Sequence, residues 1–279
     1  MSISRTKAGL LGLESVTIIE RGHYQAFNGQ RVEVKETVKA ARENTVAYEP
    51  GVVPQVEIAG SFSTTIEVAN ISTLQAGKQL QENGLNPLAL NFASAKNPGG
   101  GFLSGARAQE ESLCRASGLY ACLNRQPYYD HHRKLGGGFY TDYALYSPNV
   151  PIWRDEKENL LNETWPLSFI TMAAPNYRAH GFDPSTKPKL LAEFDKRIRK
   201  ILLIALANHH PSLVLGAWGC GAFGNDSQDV APIFAKHLKG EFSGVFQHII
   251  FAILDRSEDK HFIGPFEEML YLRRGTNKH

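Results

Sequence analysis

Two adjacent carboxylates, Glu110 and Glu111, follow Gln109, and a glycine triplet, Gly99-Gly100-Gly101, stands before it with seven residues between. Asn97-Pro98 leads into the triplet. A glycine-rich turn between a strand and a helix lets backbone N–H groups approach an anionic ligand closely. A carboxyl at the mouth of such a turn is placed to give or take a proton. A phosphate cradle beside an acid pair suggests chemistry on a phosphorylated sugar. Acidic residues also occur in a helix's first turn simply because they complement its dipole; here the pair directly follows a ligand-type loop. Adjacent helix positions diverge by about 100°, so the two carboxylates cannot do the same job. One points into the site and the other binds or supports from its edge. A helix start lowers a carboxylate's pKa, whereas a general acid needs it raised. A neighbouring carboxylate and a bound diphosphate both push it up, so the acid is expected to become competent with substrate bound.

The elements that must hold these residues are readable on both sides. An apolar run, 87–93, reads as the end of a strand over 85–93, and a helical pattern over 107–123 follows. A second loop repeats the arrangement. A buried strand over 212–217 leads into Trp218-Gly219-Cys220-Gly221-Ala222-Phe223-Gly224-Asn225, and a helix over 227–238 follows. One such loop is weak evidence, since tight turns use glycine without any ligand. Two loops at the carboxyl ends of strands would converge on one site, and two backbone cradles suit a diphosphate. No Gly-Lys-Ser/Thr follows either loop, which argues against a P-loop. Gly219-x-Gly221-x-x-Gly224 has dinucleotide-fold spacing, but no acidic residue stands clearly on a following strand end, so that reading is poor.

Elsewhere the pattern reads as strand 64–69, helix 72–82 stopped by Asn83-Gly84, strand 167–173, helix 190–207, strand 247–254 and helix 261–272. Strands alternating with helices imply βαβ units and a parallel or mixed sheet. Residues 1–57 are weakly patterned, with a hairpin over 23–34 turning at Asn28-Gly29 and a helix over 35–46; support rather than catalysis is expected of them. Residues 126–165 read as an irregular excursion with short strands, 139–145 among them, and Gly136-Gly137-Gly138 as a mobile loop. Lys196, Arg197, Arg199 and Lys200 read as the solvated face of the 190–207 helix.

Of the 279 residues, 42% are hydrophobic and 21% charged, ordinary for a soluble globular chain, and a formal net charge of +2 gives no argument for a nucleic-acid or membrane partner. Three cysteines, Cys114, Cys122 and Cys220, argue against a disulfide framework and fit a reducing compartment. No apolar run is long enough for a signal sequence or a membrane span, so a soluble, cytoplasmic protein is expected. His131-His132, His209-His210 and Cys114/Cys122 lack metal-ligand spacing. Cys220 has no sequence partner for a nucleophilic role.

The triplet, seven residues and Gln-Glu-Glu resemble the signature of poly(ADP-ribose) glycohydrolases. Leu90-Asn91-Phe92-Ala93-Ser94-Ala95-Lys96-Asn97-Pro98 resembles the microbial branch, and 219–225 resembles that branch's diphosphate-binding loop. The resemblance covers about 64–272, and the N-terminal segment is similar to the lead-in of the microbial enzymes. It implies the macrodomain superfamily: a three-layer α/β/α fold with a mixed, largely parallel central sheet. It implies an N-terminal extension over 1–60 packed on a catalytic domain over 61–279, together one structural unit. It implies hydrolysis of ribose–ribose O-glycosidic bonds from the chain end, with Glu111 as catalytic acid and Glu110 as the neighbour that binds ribose hydroxyls. Asn97 would hold the distal ribose, Gly99, Gly100 and Gly101 would line the catalytic loop, and Gln109 would bind substrate. Gly219, Cys220, Gly221, Ala222, Phe223, Gly224 and Asn225 would wrap the diphosphate, Phe223 packing on the ribose. Asn70-Ile71-Ser72 lies where typical macrodomains carry an Asp that binds adenine, and Asn there leaves adenine recognition open. Neither cofactor nor metal is implied. The expected partners are poly(ADP-ribose) or ADP-ribosylated protein, with ADP-ribose as product and no membrane or direct nucleic-acid binding. Two alternatives stay open: a module that binds ADP-ribose without catalysis, and a hydrolase of mono-ADP-ribosylated proteins.

Overall fold

The computed structural model describes residues 3–271. In chain order the elements are α1 (Arg5–Arg21), β1 (His23–Gln25), β2 (Arg31–Glu33), α2 (Lys35–Glu43), β3 (Val46–Tyr48), β4 (Thr65–Ala69), α3 (Thr73–Glu82), β5 (Pro87–Phe92), α4 (Gln109–Ala116), α5 (Leu119–Leu123), α6 (Pro127–Lys134), β6 (Ala144–Arg154), β7 (Leu160–Met172), α7 (Lys187–Ala207), β8 (Ser212–Leu215), α8 (Ser227–Lys239), β9 (His248–Ala252) and α9 (Gly264–Leu270). Among the described residues a seven-stranded sheet runs β3-β6-β7-β5-β8-β9-β4. Strands β7, β5, β8, β9 and β4 are parallel, while β6 runs antiparallel to both β7 and β3. The sheet is therefore mixed and largely parallel, as expected.

Period-two alternation sorts the strand side chains into two cores. Leu88, Leu90, Ile170, Met172, Leu213 and Phe251 pack with Phe194 and Phe234 of α7 and α8. Ala89, Phe169, Val214 and Ile250 pack on the other face with Leu74, Leu113 and Leu119 of α3, α4 and α5. The layers are thus helix, sheet, helix. The N-terminal segment adds a small cluster of its own, in which Ile18, Tyr24, Val32 and Val38 close over Trp153 of β6. It also contributes β3, an edge strand of the main sheet.

Several expectations need correction. The segment read as weakly patterned begins with α1, a 17-residue helix. Its buried face is Ala8, Gly12, Ser15 and Ile18, mostly small residues, so it shows little hydrophobic periodicity. Small residues there permit close approach: a Cβ on Gly12 would lie 2.7 Å from Phe102 O, so α1 braces the turn beyond the glycine triplet. The hairpin loop is 27–29 rather than the Asn28-Gly29 pair alone, because Ala26 N donates to Gln30 O at 2.8 Å. The 107–123 helix is two helices, broken where Ser117 pairs with Ile152 of β6 and Gly118 N donates to Pro151 O. The excursion over 126–165 holds α6 and most of a long hairpin, β6–β7. Its prolines hid it: Pro151 and Pro166 face each other across the ladder, and the register shifts on both sides of 150–152. Most of 139–145 is irregular, and only its last two residues belong to β6. The last helix ends at Leu270, and position 272 lies outside the described residues.

The charge run on α7 is not one solvated face. Lys196 and Arg199 are exposed, but the side chains of Arg197 and Lys200 are 0% exposed. Arg197 donates to Ala173 O and Phe139 O and pairs with Glu193, tying α7 to the end of β7. Lys200 donates to Glu49 O at 2.7 Å, anchoring the segment after β3. Burial pushes the Lys200 ammonium down to about 8. Replacing Arg197 by Met leaves two buried carbonyls and Glu193 without a donor. We expect about 3 kcal/mol of lost stability in urea unfolding; a change under 1 kcal/mol would show that the cation holds nothing.

Candidate functional site

The strand β5 delivers the chain to the site, and the first turn of α4 returns beside it. Glu110 and Glu111 are only 3% and 9% exposed. Their roles diverge as their helix positions require. Glu110 Oε2 accepts from Ser94 N at 2.7 Å, and Oε1 lies 3.4 Å from the Asn91 amide nitrogen. Asn91 and Thr171 oppose each other in the β5–β7 register, and the Asn91 amide also donates to Thr171 Oγ1 at 3.2 Å. Glu111 turns back to the triplet, its Oε1 accepting from Gly101 N at 2.9 Å. Its other oxygen, Oε2, is buried without a hydrogen-bond partner. The triplet makes room for this: Gly100 has φ +60°, and a Cβ on it would lie 2.3 Å from Glu111 Oε1.

Burial, reinforced by the neighbouring Glu111, pushes the Glu110 carboxyl up to about 8 against the hydrogen bond from Ser94. At neutral pH Glu110 therefore holds its proton, and the pair avoids two adjacent charges. Between the ordinary value of 4.5 and about 8, the folded protein binds a proton that the unfolded chain has lost. Stability from this group is full at acid pH and is lost as pH rises through about 8. Thermal melts should show Glu110→Gln gaining on the wild type as pH rises across that window. Parallel melting curves at every pH would contradict the buried proton.

Gln109 does not hold a free amide out to solvent. Its Oε1 accepts from Phe92 N at 2.8 Å, and its Nε2 donates to Leu90 O at 2.8 Å and Thr73 Oγ1 at 3.1 Å. It thereby clips α4 to β5 and α3 while its residue lines the cleft. That cleft, of about 980 Å³, is also lined by Ala108 and by Gly219, Gly221, Ala222 and Phe223 of the second loop. Gly99 is buried, and Asn97 is exposed and is not among the residues that line the cleft.

In the second loop the amides of Gly219, Gly221, Ala222 and Phe223 make no hydrogen bond among the described residues, whereas Gly224 N donates to Gly221 O and Asn225 N to Gly219 O. Asn225 shapes the loop from behind, its Nδ2 donating to Pro175 O and Gly219 O. The start of α8 is capped by Asp226, whose side chain accepts from Gln228 N. The backbone donors left without an acceptor at this turn are therefore those of the loop. Cys220 is buried and its thiol pushed up to about 12, a poor nucleophile. The Phe223 ring lies 6.1 Å from that of Tyr140.

The model of the microbial-type PARG catalytic domain matches residues 13–155. This chain belongs to the microbial-type poly(ADP-ribose) glycohydrolase family. Its structure is similar to that of the poly(ADP-ribose) glycohydrolase of Thermomonospora curvata, at 39% identity and a TM-score of 0.89, covering 95% of this chain and 99% of that one. The same enzyme bound to the inhibitor ADP-HPD matches at 40% identity and 0.87, over 94% and 99%. The poly(ADP-ribose) glycohydrolase of Deinococcus radiodurans in complex with ADP-ribose matches at 42% identity and 0.78, over 84% and 96%. The search of curated proteins returned no match.

For a glycohydrolase of this family, sequence reasoning overlooked the floor of the site. Asn91 and Ser94 hold Glu110, with Thr171 bonded to Asn91, and the signal was present: Asn91 is the one polar residue in the 87–93 run. The paired histidines do other work. His132 Nε2 meets Thr141 Oγ1 at 2.9 Å, and His210 bridges Tyr146 OH and Asn86 O. The second triplet ends tied down, with Asn176 N donating to Gly138 O at 2.8 Å. No helix among the described residues is long and apolar enough to cross a membrane.

Proposed function

We propose that this chain hydrolyses the ribose–ribose O-glycosidic bonds of poly(ADP-ribose) from the chain end and releases ADP-ribose. The observation that carries the reading is Glu111: one carboxyl oxygen is pinned to Gly101 N and the other is buried with no partner. A carboxyl held by one oxygen, with the other unpaired, is what a proton donor to a glycosidic oxygen requires. A module that only binds ADP-ribose has no need of it.

Glu111 gives its proton to the departing 2′ oxygen of the preceding unit as the C1″–O bond breaks. An oxocarbenium-like ribose forms. Water adds to C1″, and its proton returns to the Glu111 carboxylate. Ordinary glycosidases flank the bond with two carboxylates. Here Glu110 and Glu111 are neighbours in one helix turn, and Glu110 is engaged by Ser94 and Asn91. One acid/base, assisted by the substrate's diphosphate, serves both steps, and Glu110 supports the distal ribose from the edge. Asn97, exposed in the turn before the glycine triplet, is the residue assigned to that ribose. The free amides of Gly219, Gly221, Ala222 and Phe223 receive the diphosphate, with the Phe223 ring beside the ribose. Three buried free thiols fit a reducing, cytoplasmic setting. Nucleic acid is not a partner in this reading.

The test is incubation with poly(ADP-ribose) and chromatography for free ADP-ribose, beside a protein carrying single ADP-ribose groups. Release from the polymer supports the proposal. Binding of ADP-ribose without release would make the chain a reader, and release only from the singly modified protein would make it a mono-ADP-ribosyl hydrolase.

A further inference from the structure

The cleft continues past the diphosphate loop to a second end, walled by Ile71, Ile253, Leu254 and Phe262. That apolar end, away from the acid pair, suits a flat base. Two polar residues stand at the strand ends there, and neither offers a free group. Asn70 Nδ2 donates to Asp255 O, and Asn70 Oδ1 accepts from Asp255 N. Asp255 Oδ1 accepts from the Ser257 amide and hydroxyl, while Oδ2 accepts from Phe262 N and Ile263 N. The position at which typical macrodomains are expected to read adenine is thus locked into holding two loops together.

A carboxylate reaches this end from elsewhere. The tip of the β6–β7 hairpin brings Glu156 to the start of α3, where its Oε1 accepts from Ser72 Oγ at 2.5 Å. Glu156 and Ser72 both line the cleft. Glu156 Oε2 makes no hydrogen bond among the described residues. The tip is rigid: Asp155 Oδ1 accepts from Lys157 N and Asn159 N, each at 2.8 Å. The adjoining residues are anchored as well, with Arg154 on Glu14 at 2.6 Å and Glu158 on Arg115 at 3.3 Å.

We infer that Glu156 reads the base of the bound nucleotide, its free oxygen accepting from the exocyclic amine of adenine. The inference rests on the ADP-ribose reading of the cleft. The hairpin carboxylate supplies the acceptor that Asn70 does not. Desolvation raises the carboxyl of the exposed Glu156 above its ordinary range, and a donor from the ligand favours the ionised form. A ligand whose base carries a carbonyl at that position sets an acceptor against an acceptor and binds more weakly.

The test measures dissociation constants by calorimetry for ADP-ribose and for its hypoxanthine counterpart, IDP-ribose, on the full chain. The wild type is expected to favour ADP-ribose by about tenfold, and Glu156→Ala to bring the ratio close to one by weakening ADP-ribose alone. Glu156→Gln keeps an acceptor oxygen and is expected to retain part of the preference. A general loosening of the hairpin would weaken both ligands together and leave the ratio unchanged. An unchanged ratio in Glu156→Ala, with ADP-ribose still bound, overturns this inference and spares the proposed function. Failure of the wild type to bind ADP-ribose overturns both.

Discussion

Glu111→Gln binds ADP-ribose with nearly unchanged affinity and releases it from poly(ADP-ribose) about 10³-fold more slowly than the wild type. The substitution keeps the shape of the side chain. The amide oxygen still accepts from Gly101 N, as Glu111 Oε1 does at 2.9 Å. What disappears is a group that can deliver a proton from the buried, unpartnered oxygen. Loss of a positioned general acid costs about 10²- to 10⁴-fold in rate, while the backbone donors of the diphosphate loop are untouched. The measurement is initial rate by chromatography beside calorimetric binding of ADP-ribose. A variant retaining a tenth or more of the wild-type rate would remove Glu111 from the chemistry. The matching change at Glu110 acts differently. Its carboxyl is already neutral at pH 7, so Glu110→Gln resembles the native group and should perturb the rate far less than Glu111→Gln.

Gly100→Ala lowers the rate by at least about 10²-fold while the chain still folds. The added Cβ lies 2.3 Å from Glu111 Oε1 and 3.1 Å from Glu110 Oε2, so the carboxylates must move. The backbone also has φ +60°, which costs an alanine about 1–2 kcal/mol. The stability loss is therefore modest, a shift of a few degrees in thermal melts, and the loss of activity exceeds it because the whole Glu111 carboxyl is displaced. Gly136→Ala is the control. It belongs to the other triplet, and nothing lies within 4 Å of its added Cβ. Equal losses in the two variants would mean that glycine content, not the geometry around Glu111, matters.

Both predictions rest on stretches that could be read without coordinates, because their chemistry is local. A tight turn needs glycine, a helix start brings its first residues to the mouth of that turn, and residues 97–111 are contiguous. The same holds for 219–225. The alternation of apolar strands and helices likewise implies a layered α/β fold, since each run must bury one face. Where local signals conflicted, reading failed. Prolines and glycines across 126–165 concealed the β6–β7 hairpin, whose strands are held by their partners rather than by propensity. The small-residue face of α1 carried no periodic signal, because its task is close approach to Phe102.

The sequence by itself determined that two glycine loops and an acid pair share one α/β chain. Only the tertiary structure decided which carboxyl is engaged on both oxygens and which leaves one oxygen without a partner. That choice depends on desolvation and on partners distant in sequence: Asn91 and Thr171 beneath Glu110, and Gly101 N against Glu111. Burial likewise separates Arg197 and Lys200 from Lys196 and Arg199 within one charge run. Ser72 and Glu156 are 84 residues apart and meet only because a hairpin folds onto α3. Adjacent residues announce their chemistry through spacing, whereas a side chain's protonation and its free valences are set by whatever the fold packs against it.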